Sequence, residues 1–155
     1  MAKASSSPHV TVINGPNLNL LGQREPHIYG TETLADIERK SIKHGADIGL
    51  TVEFFQSNSE GALIDFLHKA NATSVAAVLN AGGYSHTSVA LHDAIVSIDI
   101  PVIEAHLSNI HGREAFREKS LTGRAAKGVI CGFGSDVYLL ALDAVKRLNH
   151  NEKNT

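Results

Sequence analysis

The chain has 155 residues, 43% of them hydrophobic and 19% charged, with a formal net charge of -2 and one cysteine. This is the size of one ordinary domain with its own core. The balanced charge, with no block of like charges, argues against a nucleic-acid or acidic-membrane partner, and the single cysteine excludes an intrachain disulfide or a cysteine-based metal cluster within one chain.

Residues 1–9, "MAKASSSPH", are expected to form a loose tail. They show no apolar segment behind their lysine, and no apolar run in the chain approaches ~18 residues, so neither a secretory signal nor a membrane span is expected. The cytoplasm is the expected compartment. Residues 10–149 read as a single domain and 150–155 as a second loose end.

The first apolar run, Val10 to Ile13, is β-branched and reads as a strand. It leads into "INGPNLNLLGQREPHIYG", Ile13 to Gly30, where Pro16 and Pro26 remove backbone donors and Gly15, Gly22 and Gly30 relax the backbone. A long connection of this kind is expected to be functional or disordered. Within it, Arg24 and Tyr29 lie five residues apart. A tyrosine ordinarily ionises near pH 10, so use as a base near neutrality requires about 4 kcal/mol of preferential phenolate stabilisation. A neighbouring guanidinium in a water-poor site supplies much of that. A surface arginine and a tyrosine packing a turn would fit the same spacing.

"TETLADIERKSIKHGADIG" has helical spacing and is followed by a strand, Thr51 to Gln56. "SEGALIDFLHKANA" is the next helix and Ser74 to Asn80 the next strand. After that strand, "NAGGYSHTSVALHDA" places two glycines, Asn80 and His86 ahead of a helix that Thr87 or Ser88 can cap. The helix, within "TSVALHDAIVSI", leads to a fourth strand, Pro101 to His106. Glu104 and His106 are two apart on it, hence on one face, where a carboxylate fixes the imidazole tautomer in a way that suits a proton donor. A histidine merely satisfied at a strand end fits equally well.

Arg113 and Arg117 fall four apart in "HGREAFREKS", read as a short helical segment. They suit either a carboxylate clamp or pairing with Glu114 and Glu118 in solvent. Gly128 to Phe133 is the fifth strand, with Cys131 expected as a buried strand thiol rather than a nucleophile. "GFGSD" carries two glycines of a dinucleotide fingerprint, but it follows the last strand and lacks the third. In the closing helix Val137, Leu140, Ala141, Ala144, Val145 and Leu148 keep a 3.6-residue period. Nine histidines raise the question of zinc at His86, His106 and His111, yet no HExxH or similar ligand spacing occurs, and no metal is expected.

Strands alternating with helices and unbroken by polar positions predict an α/β fold, a doubly wound, five-stranded parallel sheet of flavodoxin-like order 2-1-3-4-5. Ligands of such sheets bind outside the carboxyl ends of the strands, where asparagine, serine, histidine and arginine gather in this chain. A polyhydroxylated or carboxylated small molecule fits that inventory. A flavin- or nucleotide-binding module would need a glycine-rich phosphate cradle after the first strand, and "NGPNLNLL" is asparagine-rich instead.

Taken together, "NGPNLNLLGQREPHIYG", "QSNSEG", "NAGGYSHTSVALHDA", "EAHLSNIHGREAF" and "GVICGFG" resemble the type II 3-dehydroquinate dehydratases in order and spacing, from Val10 to about Leu148. The resemblance implies a lyase converting 3-dehydroquinate into 3-dehydroshikimate through an enolate, in the shikimate pathway or quinate catabolism, without a cofactor. It implies Tyr29 as the base, Arg24 as the cation that holds it ionised and Asn17 as the residue positioning an enolate-stabilising water. His106, oriented by Glu104, is implied as the proton donor.

Asn80, His86, Leu107, Ser108, Arg113 and Arg117 are the implied substrate contacts, with Arg113 in a lid region. Asp93 is the residue implied to reach a neighbouring subunit's site. The implied assembly is a homo-oligomer, a dodecamer of trimers. The stretch Ile13 to Gly30 becomes, on this reading, the lid that carries the base. The chain departs from the common pattern at Ala81, where many members have proline, at Gly83, where many have alanine, and at His92, where many have arginine. After Arg117, "EKSLTGR" replaces a histidine-rich stretch followed by Ser-Tyr.

Overall fold

The computed structural model describes residues 6–23 and 25–154. Strand β1 is His9–Asn14, followed by a 3-10 turn at Leu18–Leu20, a one-turn helix α1 at Pro26–Tyr29 and helix α2 at Leu34–Asp47. Then come β2 (Thr51–Gln56), α3 (Glu60–Thr73), β3 (Ala76–Asn80), a 3-10 segment Gly82–His86, α4 (Val89–Ser97) and β4 (Val102–His106). Two 3-10 turns, Ile110–Gly112 and Ala115–Arg117, precede α5 (Leu121–Ala125), β5 (Gly128–Cys131) and α6 (Asp136–Lys153).

The five strands are parallel in the order β2-β1-β3-β4-β5, as the alternation of elements predicts. Each central strand is buried on both faces, which is why its sequence is mostly apolar, the exceptions being the buried polar residues Thr11 in β1 and Glu104 and His106 in β4 and the strand-end residues His9, Asn14 and Asn80. Side chains alternate between two cores. Val10, Val12, Ala76, Val78, Ile103 and Ala105 face a core closed by Ile37 of α2 and Val137, Tyr138 and Ala141 of α6. Ile13, Ala77, Leu79 and Val102 face the other, closed by Leu63 and Leu67 of α3 and Leu91 and Ile95 of α4. Among the described residues, no helix is long and apolar enough to cross a membrane.

Capping fixes where α2 begins. Thr33 accepts from the Asp36 amide while the Asp36 carboxylate accepts from the Thr33 amide, a reciprocal pair that satisfies two otherwise orphaned donors. Asp36 is correspondingly held below the ordinary carboxylate value, chiefly by hydrogen bonds from the Thr33 backbone and side chain. Ser59 and Ser88 cap α3 and α4 through the Ala62 and Leu91 amides.

Three expectations are corrected, and one helix has no counterpart in the sequence reading. "HGREAFREKS" is not one helical segment: Arg113 is extended between two 3-10 turns, and Arg113 and Arg117 do not share a helix face. Helix α5, with a glycine at its centre and no apolar period, gives no sequence signal of its own. Cys131 is only half-buried, because β5 is an edge strand. In α6 the buried stripe is Val137, Tyr138, Ala141, Leu142 and Val145, with Leu140 turned to solvent, and the helix runs on to Lys153 through the stretch expected to be loose.

Candidate active site

Register aligns the polar strand ends. Asn14 sits opposite Gln56 on one side and Asn80 on the other, and His106 sits opposite Cys131. The connections leaving β1, β3 and β4 enclose a cleft of about 130 Å³ at this carboxyl edge. Its wall contains Asn80, His86, His106, Leu107, Ser108, Arg113 and Arg117, and Pro16, Asn17, Leu18 and Leu21 form the side contributed by the opening loop. Eight of the residues singled out in the sequence therefore meet here.

The opening loop is seated by close backbone contacts. A Cβ on Gly15 would lie 2.5 Å from the Ala81 carbonyl oxygen, so only glycine lets the loops after β1 and β3 touch. The Gly15 amide donates to the Asn80 carbonyl at 2.7 Å. Asn17 has φ 69°, a left-handed conformation that asparagine tolerates better than most residues. Its amide donates to Asn58 Oδ1 at 3.0 Å, and Gln56 Nε2 donates to the same oxygen at 3.2 Å. The polar stretch after β2 thus braces the turn that presents Asn17.

Asn80 belongs to a buried chain of hydrogen bonds that sequence reading misses. Its Nδ2 donates to Tyr138 Oη at 3.0 Å, Tyr138 donates to Asn14 Oδ1 at 2.6 Å, and Asn14 Nδ2 donates to the Phe55 carbonyl at 3.1 Å. The Asn80 Oδ1 accepts from the Gly82 amide at 3.3 Å. Both ends of the amide are assigned by these partners, so its orientation is fixed. Burial pushes the Tyr138 hydroxyl far above its ordinary value, against the hydrogen bond from Asn80, and keeps it a neutral donor. The one available signal was a tyrosine inside the apolar stripe of the last helix, where a buried hydroxyl requires partners.

Glu104 is fully buried directly behind His106. Burial alone would raise its carboxyl. Hydrogen bonds from His106, Thr122 and Ser120, together with attraction to His106, outweigh that and hold it below its ordinary value. His106 Nε2 lies 2.9 Å from Glu104 Oε2, so Nε2–H donates a hydrogen bond to the ionised carboxylate and Nδ1 is left for the cleft. The His86 ring runs nearly parallel, 6.2 Å away between centroids. Its Nδ1 donates to the Lys119 carbonyl at 2.8 Å, which leaves Nε2. Ser120, Thr122 and the Lys119 carbonyl are further residues the sequence does not reveal.

The arginines both line the cleft and pair with a carboxylate. Arg117 Nε donates to Glu114 Oε2 at 2.6 Å, Arg113 approaches the same oxygen at 3.9 Å, and Arg113 Nη1 donates to Ser108 Oγ at 3.3 Å. Clamp and ion pair, posed as alternatives by the sequence, are compatible. Glu114 is held low by a hydrogen bond from its own backbone and then by Arg117 and Arg113.

Arg24 and the Tyr29 side chain lie outside the described residues. Gly30 caps the end of α1, and Ile28 and Gly30 line a second depression that shares Leu107 and Ser108 with the cleft. Asp93 does not line the cleft of its own chain: it lies on an exposed stripe of α4 with Val89 and Val96, paired to His92 Nδ1 at 3.1 Å. Among the described residues, no group of three or more histidine, cysteine, aspartate or glutamate side chains could hold a metal ion.

A cleft with a carboxylate-oriented imidazole, a fixed amide and two arginines can bind an oxygen-rich anion and pass a proton to it. The sequence model described as "Dehydroquinase class II" matches residues 8–146. The "3-dehydroquinate dehydratase 1" of Agrobacterium fabrum is 58% identical over 90% of this chain and 96% of its own length, and the "3-dehydroquinate dehydratase" of Rhizobium johnstonii 56% over the same shares. The crystal structure of a type II dehydroquinase from Propionibacterium acnes superposes with a TM-score of 0.88 at 40% identity, covering 91% of this chain and 97% of that one. A 3-dehydroquinate dehydratase-like protein from Bifidobacterium longum gives a TM-score of 0.70 at 31% identity, over 92% and 98%.

Proposed function

The chain belongs to the class II dehydroquinase family, and from that premise we propose that it dehydrates 3-dehydroquinate to 3-dehydroshikimate through an enolate, with Tyr29 and His106 as the proton-transferring pair. Tyr29, kept ionised by Arg24, takes the proton from the carbon beside the ketone; the electron pair of that C–H bond becomes the enolate carbon–carbon double bond and the carbonyl π pair moves onto the ketone oxygen. A water positioned by Asn17 meets the charge as it develops there. The enolate then collapses. The oxygen's pair re-forms the ketone, the enolate double-bond pair forms the new carbon–carbon double bond, and the C–O bond breaks. The departing hydroxyl takes the Nδ1 proton of doubly protonated His106, whose Nε2 proton stays toward Glu104, and leaves as water. Exchange with solvent returns a proton to His106 and removes one from Tyr29.

Asn80, His86, Leu107, Ser108, Arg113 and Arg117 hold the substrate, the arginines matching its carboxylate. The opening loop beyond Asn17, up to Gly30, closes over the site and keeps water from the enolate, while Ile13 and Asn14 stay anchored in β1. The enzyme works in the cytoplasm as a homo-oligomer, a dodecamer of trimers, in the shikimate pathway or in quinate breakdown, and needs no cofactor.

The observation that carries this reading is His106, backed by buried Glu104, in a cleft whose opposite side bears Asn17. Mixing the purified protein with 3-dehydroquinate and recording ultraviolet absorbance tests it. The conjugated enone of the product should appear in proportion to enzyme. No absorbance change at high concentration of folded protein would end the reading.

A further inference from the structure

The segment after Arg117, where the sequence leaves the common family pattern, sets its polar atoms against His86 and against Glu104, the carboxylate behind His106. We propose that Ser120 and Thr122 are positioning residues for proton transfer: their hydroxyls lock the Glu104 carboxylate so that His106 presents Nδ1 to the substrate. This rests on the reading of His106 as proton donor.

The geometry is specific. Ser120 Oγ donates to Glu104 Oε2 at 2.7 Å, Thr122 Oγ1 donates to the other oxygen, Oε1, and His106 Nε2 completes the set on Oε2. Thr122 and Glu104 are both fully buried. The Ser120 hydroxyl has one proton to give, and it can give it to Glu104 because its own oxygen already accepts from the Gly123 amide at 2.9 Å. One side chain therefore starts α5 and holds the carboxylate.

Gly123 makes that approach possible. A Cβ there would lie 2.8 Å from Glu104 Oε2 and 3.0 Å from Ser120 Oγ. One residue earlier, the Lys119 carbonyl accepts from His86 Nδ1. The backbone from Lys119 to Gly123 thus touches both imidazoles' proton assignments, one directly and one through Glu104.

The chemical consequence follows from the buried carboxylate. An ionised carboxylate offers about four acceptor sites, and in a dry environment each donor lost must be replaced. Without the Thr122 hydroxyl, Glu104 Oε1 loses its donor, and the carboxylate either turns from His106 or takes up a proton. In the first case the Nε2 proton of His106 loses its acceptor, in the second it faces a neutral carboxyl oxygen, a weaker acceptor than the carboxylate, and in both Nδ1 is held less firmly toward the substrate. A purely structural role, tying α5 to β4, predicts lost stability with chemistry intact.

Thr122→Val keeps the shape and removes the hydroxyl, while Thr122→Ser keeps the hydroxyl and removes a methyl. Turnover of 3-dehydroquinate should show kcat of the valine variant about tenfold or more below wild type, with KM changed less than about twofold, and kcat of the serine variant restored toward wild type. A folded valine variant with full kcat, or one changed only in KM, would overturn the proposal. If the valine variant does not fold, Thr122→Cys replaces it: the thiol is a weak donor, so kcat should fall between those of wild type and His106→Ala, and an undiminished kcat overturns the proposal. A wild-type protein without turnover refutes the functional reading itself, whereas an active wild type with an unaffected Thr122 series refutes only the positioning role.

Discussion

Glu104 sets burial against charge, and hydrogen bonds decide the outcome. Its folded value lies below the ordinary 4.5, so the unfolded chain takes up the proton first as acid is added. The stability this contributes is fully present above about pH 4.5 and is lost as pH falls through the lower folded value. Glu104→Gln does not titrate and confronts the donors of Ser120, Thr122 and His106 with an amide. Its melting temperature should lie furthest below wild type near neutrality, and the gap should narrow only as pH falls from about 4.5 through the lower folded value. A gap that does not change with pH would mean the wild-type carboxyl is not held charged. The proposed proton-transferring residues divide differently. Tyr29→Phe should remove nearly all turnover while ligand affinity stays close to wild type, and His106→Ala should depress kcat; large residual turnover in the first variant would point to another base, and a rise confined to KM in the second would remove the donor role. The types and spacing of Glu104 and His106 are visible in sequence because a strand repeats every two residues. The hydroxyls on Glu104 are not, since Ser120 and Thr122 come from a segment 16 and 18 residues downstream.

At the level of elements, the strands are legible because a parallel sheet buried on both faces demands β-branched and apolar runs, as in Val10 to Ile13 and Ala76 to Leu79. Helix α5 is illegible for the opposite reason: "LTGRA" has little intrinsic preference, and its start is fixed by Ser120, which caps it while bonded to Glu104. Helix α6 lies between these cases. Its period is plain, yet Tyr138 occupies the buried stripe in place of the exposed Leu140, and the polar tip links the helix to β1 and β3. Tyr138→Phe leaves the ring packed but removes the hydroxyl from Asn14 and Asn80. The unpaired buried amides should cost about 1–3 kcal/mol, read as a lowered urea midpoint. Because the Asn80 amide loses a partner that fixes its orientation, KM for 3-dehydroquinate should rise more than kcat falls. Unchanged stability and KM would show that the chain of hydrogen bonds neither supports the fold nor orients Asn80.

Across the whole molecule, the cleft draws on the ends of β1, β3 and β4, because parallel strands place all their carboxyl ends at one edge. That convergence is predictable from order alone, whereas residues supplied by another copy are not. Asp93 lies beside exposed Val89 and Val96 on α4, away from its own cleft. On the proposed assembly, it completes the site of an adjacent copy, so a defect in Asp93 and a defect in Tyr29 fall on different chains. This separates an intermolecular role from a local one. Asp93→Ala and Tyr29→Phe chains should each turn over poorly alone while keeping the wild-type mass by light scattering. Unfolded together in equal amounts and refolded, they assemble at random, and sites pairing an intact Tyr29 with a neighbour's intact Asp93 should form at about one in four. Turnover should then exceed the mean of the two separate variants and approach about a quarter of the wild-type rate. If the mixture gives only that mean, Asp93 acts within its own chain or not at all, and the exposed stripe of α4 loses its place in the site.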